Sequence, residues 1–147
     1  MNAGENKLVG IVYISREVEN FDDDDLNELI TQAMRNNKEL NITGFVAYRK
    51  SYFLQYIEGS EGIVKGLMNT IATDPRHEVL LTSTLEIEKR KFPKWDMFWS
   101  KNQLSVEIVL LDYLKTLDPK QIEEEKYTDN ILRMLDTCSG LASKWDL

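Results

Sequence analysis

Tyr13, Asn37 and Gln55, together with Trp95 or Met97, are the residues of this chain whose types could act on a bound molecule. Gln55 lies between Phe53 and Ile57 on one face of an apolar run. An unpaired buried amide costs about 1–3 kcal/mol, so either neighbouring backbone or a polar ligand on the sheet must satisfy it. Tyr13 and Ser15 bring two hydroxyls to one strand face, as core with a satisfied OH or as part of a site. Asn37 falls three residues past an apolar helical stripe, where it is either a C-cap or an amide aimed at the sheet. A tyrosine, two amides and an aromatic around one pocket suit a flat ligand edged with heteroatoms. Arg76 and His77, in the connection after a helix, read either as solvated surface or as contacts for a phosphate or ribose.

Other chemistries are poorly served. There is no Gly-rich phosphate loop and no Gly-x-Ser-x-Gly elbow, and the single histidine limits any His-centred mechanism. The run Asp22 to Asp25 lacks the glycine and glutamate spacing of an EF-hand loop. Carboxylates at a helix N-terminus cap free amides and complement the dipole, so no metal is expected. Cys138, the one cysteine, excludes an internal disulfide and a Cys-based zinc site, and it reads as packing. A net charge of −7 argues against a phosphate-backbone partner, and the basic Lys89 to Lys94 loop is too short to change that. No apolar run reaches membrane-spanning length and the start lacks a signal peptide's apolar core, so a cytoplasmic protein without membrane contact is expected.

The elements that position these residues follow from periodicity. Leu8 to Ser15 reads as a central strand, with Val9, Ile11, Tyr13 and Ser15 on one face. Leu26, Leu29, Ile30, Ala33 and Met34 form the stripe of a first helix opened by the aspartate run. Gly44 to Tyr48 and Phe53 to Ile57 make a hairpin, and Ile63, Val64, Leu67, Met68 and Ile71 a second helical stripe capped at Ser60 and ended by Asp74-Pro75. Val79 to Ile87 and Trp95 to Trp99 complete the sheet. The order β-α-β-β-α-β-β predicts an α+β, ferredoxin-like sheet with both helices on one face. Two amphipathic stripes, Val109 to Leu117 and Tyr127 to Cys138, predict a helical pair covering the other face. The expected division is a domain over 1–103 and a helical extension over 104–147, with no separate effector domain.

The combination Tyr13-Ile-Ser15, Asn36-Asn37-x5-Thr43-Gly44, Phe53-Leu-Gln55-Tyr-Ile-Glu58-Gly59, Asp74-Pro-Arg76-His77 and Phe92-x-x-Trp95-x-Met97 closely resembles the BLUF family of flavin-using blue-light sensors. The pieces stand in the family's order over roughly residues 8 to 101. The one departure is Lys50-Ser51 at the hairpin turn, where a glycine is often found.

The resemblance implies a flavin, usually FAD with FMN as the other candidate, held between the two helices with its C4 carbonyl and N5 edge facing Gln55. It implies that Tyr13 and Gln55 carry the photochemistry, Tyr13 hydrogen-bonding Gln55. Ser15, Asn36, Asn37, Arg76, His77, Trp95 and Met97 would complete the flavin site, with Asn37 on the C4 carbonyl and N3 side. In such domains light drives electron and proton transfer from the tyrosine, and the glutamine ends with altered hydrogen bonds. Glutamine suits this because one group carries both donor and acceptor. The implied output is a photoreceptor, not an enzyme, signalling through the Trp95/Met97 strand and the tail to a partner protein, as a homo-oligomer. A small ferredoxin-like flavoenzyme using the same pocket is the other reading.

Overall fold

A computed structural model of the chain describes residues 7–49, 51–93, 96–99, 133, 136 and 137. Leu8–Glu17 (β1) is nearly all apolar and lies in the middle of the sheet, buried from Val9 to Ser15. Such a strand needs cover on both faces. Thr43–Arg49 (β2) and Tyr52–Ser60 (β3) form the hairpin, His77–Glu86 (β4) follows the second helix, and Asp96–Trp99 (β5) ends the sheet. The strand order is β4-β1-β3-β2-β5, antiparallel throughout except where β5 runs parallel to β2. The expected α+β, ferredoxin-like arrangement is the one observed.

The helices Asp23–Glu39 (α1) and Glu61–Ala72 (α2) pack on one face, here the front. Leu26 and Ile30 of α1 and Val64 and Met68 of α2 share a core cluster with Val9, Ile11, Tyr13, Val46, Phe53 and Ile57. Met34 and Ile63, expected in the buried stripes, are instead 42% and 41% exposed. At 3.6 residues per turn each falls at the margin of its helix's buried arc, turned towards solvent. On the back face Phe45, Tyr56 and Phe92 meet edge-on or tilted, with ring centroids 5.1–6.1 Å apart.

The aspartate run caps α1. Asp22 is the N-cap and forms a reciprocal capping box with Asp25, 2.7 Å from the Asp25 amide to Asp22 Oδ1 and 3.3 Å in return. At the other end the helix runs two residues beyond Asn37, which is therefore not its cap. Asn41 takes the left-handed conformation (φ 54°). The Ile42 amide bonds the Asn37 carbonyl at 2.8 Å and the Asn41 amide bonds that of Lys38 at 3.2 Å. This is a Schellman ending, with the C-cap at Leu40, three residues later than the stripe suggested.

Strand boundaries move slightly. β1 continues to Glu17. β4 spans His77 to Glu86 instead of Val79 to Ile87, because a bulge lets it pair with all of β1: Ile14 opposes Leu81 while Ser15 opposes Val79, leaving Leu80 opposite no residue. At the hairpin Ser51 accepts φ 77°, the left-handed turn position a glycine often fills. Of the tail, Arg133, Asp136 and Thr137 are helical and exposed. The rest of the predicted helical pair lies outside the described residues, as does Trp95.

Candidate functional site

Between α1, α2 and the front face lies a cavity of about 280 Å³. Tyr13 from β1, Val46 from β2, and Phe53 and Gln55 from β3 form its floor; Ile30, Ala33, Asn36 and Asn37 of α1 and Leu67, Thr70 and Ile71 of α2 form its walls. Alternation along the strands turns these floor side chains to one face. The register places Gln55 directly beside both Tyr13 and Val46.

The polar groups are arranged for a ligand. The Tyr13 hydroxyl donates to Gln55 Oε1 in a buried hydrogen bond. Burial, and secondarily the charge on Asp74, pushes the Tyr13 hydroxyl well above its ordinary value, so it holds its proton at any physiological pH. Asn37 is buried, lines the cavity, and its Nδ2 has no hydrogen-bond partner among the described residues. A buried, unpaired amide N–H facing a cavity is a position where a ligand carbonyl or ring nitrogen recovers the lost bond.

His77 is not solvated surface. It is the first residue of β4, half-buried, with Nε2 2.7 Å from the Ile71 carbonyl and Nδ1 2.8 Å from Ser15 Oγ. A carbonyl only accepts, so Nε2 carries the proton, and in the neutral ring Nδ1 accepts from the Ser15 hydroxyl. The ring lies edge-on to Tyr13 and Phe53, with centroids 6.1 and 6.5 Å away. Ser15 itself is fully buried behind His77 and is not among the cavity-lining residues.

Arg76 is gripped by Asp74, with Nη2 2.6 Å from Oδ2 and Nε 3.0 Å from both oxygens. That ion pair lowers Asp74 and raises Arg76 from their ordinary values. Arg76 also lines a second, smaller hollow with Glu19, Asn20, Asp25 and Glu28. Phe21, Leu29, Gln32 and Arg76 border both, so the two spaces adjoin. Tyr13, Asn36, Asn37, Gln55, Arg76 and His77 thus come together around one space. Met97 belongs to β5, which is backbone-paired with β2, and Trp95 is not described.

Sequence reasoning passed over Gln32 and Thr70 in the walls and Asp74 at the mouth. Gln32 stands one turn before Asn36 on α1, and a search of that helix for polar residues beside the apolar stripe would have found it. It also passed over Glu58, a fully buried carboxylate on the back face. Its signal was a charged residue at the end of the apolar run Phe53 to Ile57.

The comparisons with known proteins fit this geometry. The "Photoactivated adenylate cyclase subunit beta" of Euglena longa is 31% identical over 96 residues, covering 64% of this chain and 11% of that protein. The chain thus spans about a tenth of the length of the curated relatives it matches. Among solved structures, "BlrB - a BLUF protein, dark state structure" superposes with a TM-score of 0.72 at 25% identity, covering 92% of this chain and 98% of that one. BlrP1 of Klebsiella pneumoniae "with FMN and cyclic diGMP, no metal ions" gives 0.57 at 26%, covering 86% of this chain and 30% of that one. The family description "BLUF: Sensors of blue-light using FAD" matches residues 8–98, and the chain belongs to that family.

Proposed function

We propose that the chain senses blue light with a flavin, FAD or FMN, seated in the cavity between α1, α2 and the front face, and that Tyr13 and Gln55 carry the photochemistry. The observation that carries this is the Tyr13–Gln55 hydrogen bond at the floor of a cavity that also receives the unpartnered Asn37 Nδ2. Asn37 and Gln55 offer amide donors to a ring edge, while Asn36 and Arg76 line the space at the mouth where a ribityl phosphate would leave. The family description supports FAD, and the FMN of BlrP1 keeps the mononucleotide as the alternative.

A bound flavin supplies the absorption of blue light and a vacancy for one electron. The remaining steps belong to the chain. Tyr13, neutral at rest, gives up that electron, and its oxidised ring releases its proton along the hydrogen bond already made to Gln55 Oε1. Gln55 then presents a donor where it presented a bare oxygen: an O–H if the proton stays on Oε1, an N–H if the amide turns about its last bond. His77, pinned between Ser15 and Ile71, holds the edge of the Tyr13 ring in place through the cycle.

The chain acts as a sensor, not a catalyst. It works in the cytoplasm as a homo-oligomer and passes its signal through the Trp95/Met97 strand and the C-terminal segment to a partner protein. Among the described residues no helix is long and apolar enough to cross a membrane. The test is direct: purified protein is yellow, its visible absorption moves to longer wavelength under blue light, and it returns in the dark. Colourless protein, or a spectrum indifferent to light, would overturn the reading.

A further inference from the structure

On the back face, opposite the cavity, Glu58 is fully buried and accepts four hydrogen bonds. Its Oε1 takes the Tyr56 hydroxyl at 2.9 Å and the Lys91 amide at 2.7 Å; its Oε2 takes the Thr43 hydroxyl and the Phe92 amide, both at 2.8 Å. Arg90 closes the arrangement by donating to Thr43 Oγ1, to the Glu58 carbonyl and to the Asn41 carbonyl, at 2.9, 3.2 and 2.7 Å. Only a carboxylate fits. Donors meet both oxygens, and an amide would have to turn its NH2 group against a backbone N–H whichever way it faced.

Two of those donors are consecutive backbone amides of the loop between β4 and β5. The same loop reaches outward: Lys91 Nζ lies 2.6 Å from Asp136 Oδ1 in the C-terminal segment. The contrast between the two ends is large. The inner end is a buried carboxylate with every donor in place, whereas Asp136 is 68% exposed and its ion pair is of the weak, solvent-screened kind. Glu58 also stands three residues from Gln55 on β3, an odd number, so the two side chains project from opposite faces of one strand.

We propose that Glu58 is a positioning residue for signal output. It fixes the β4–β5 loop to β3 so that a shift of β3 caused at Gln55 is carried to Lys91 and makes or breaks the contact with Asp136. This rests on the light-sensing reading above, and it gives that reading a second exit beside β5. Rigid attachment at one end and a weak contact at the other is what such a relay requires, because displacement must be transmitted inward of the joint that yields.

The test uses the full-length, flavin-loaded protein and amide hydrogen exchange, in darkness and under blue light. In darkness, Glu58→Gln should raise exchange at Lys91 and Phe92 at least tenfold. It should leave flavin content and the size of the light-induced red shift unchanged, since Glu58 lies on the other face. Under light, the parent should change its exchange around residues 133–137, and both Glu58→Gln and Lys91→Met should abolish that change, Lys91→Met without loosening the loop in darkness. Thr43→Val removes one of the four donors and serves as the milder variant should Glu58→Gln unfold. Unchanged dark exchange at Lys91 and Phe92 in either Glu58→Gln or Thr43→Val would overturn the anchoring. A light response at 133–137 that survives both Glu58→Gln and Lys91→Met would overturn the relay. A parent with no red shift would strike the light-sensing reading and the relay with it, while the dark exchange still decides the anchoring.

Discussion

Gln55 and Asn37 bring amides to the same cavity, but they are in opposite conditions, and the difference is testable. Gln55 Oε1 already accepts from Tyr13, so Gln55→Leu removes a switching group while roughly keeping its volume. We expect that variant to keep its flavin and lose the red shift, as read by light-minus-dark absorption. Asn37 Nδ2 is buried without a partner among the described residues, a state that costs about 1–3 kcal/mol. Asn37→Leu should therefore raise the urea unfolding midpoint of flavin-free protein and weaken flavin binding at the same time, measured by fluorescence titration. A loss of stability in the flavin-free form would mean that the amide is satisfied from within. These residues were legible in the sequence because polar side chains interrupt apolar periodicity there. The condition of Asn37 was not, because it depends on α1 running on to Glu39, and the apolar stripe alone does not mark where the helix stops.

At the scale of elements, the β2–β3 pairing has one point without tolerance. Gly44 has φ +150°, and a Cβ there would meet the Tyr56 carbonyl oxygen at 1.9 Å. A backbone atom of a paired central strand cannot give way, so Gly44→Ala should destabilise by several kcal/mol, on the order of 3–5, in urea unfolding monitored by circular dichroism. A change below about 1 kcal/mol would show that the strand relaxes. Elements were the most legible level: among the described residues both helices and all five strands follow from periods of 3.6 and 2. What was not legible had specific causes. Met34 and Ile63 are apolar at the right spacing but lie at the margins of their arcs, and spacing alone does not mark where an arc ends. His77 looked like loop because Pro75 stands two residues before it, yet pairing with Glu17 draws it into a strand. Glu58 was passed over because two of its four donors are backbone amides of a loop more than thirty residues away in the chain.

For the molecule as a whole, three tyrosines shift in one direction. Burial raises the hydroxyls of Tyr13 and Tyr56, and Tyr48, desolvated and bonded to Glu17, is pushed up to about 12. In the unfolded chain each would titrate near the ordinary ~10. A folded value above the unfolded one gives stability that is complete below about pH 10 and is lost as pH rises towards the folded value. The unfolding midpoint should thus fall steeply above pH 10, and Tyr13→Phe should make that fall shallower; identical slopes would show that Tyr13 ionises as easily folded as unfolded. The bulge in β4 has a different consequence, one of counting. Side chains along a strand alternate, so a single inserted or deleted residue ordinarily turns everything beyond it inside out. Here Leu80 is a spare link. His77 and Val79 on one side of it, and Thr82 and Thr84 on the other, all oppose front-facing positions of β1 only because the ladder skips it. Deleting Leu80 would join the two halves into an unbroken ladder with each side chain on the face it already occupies, and His77 would still meet Ser15. Alone among the residues of this strand, Leu80 keeps the chain's count without holding a rung.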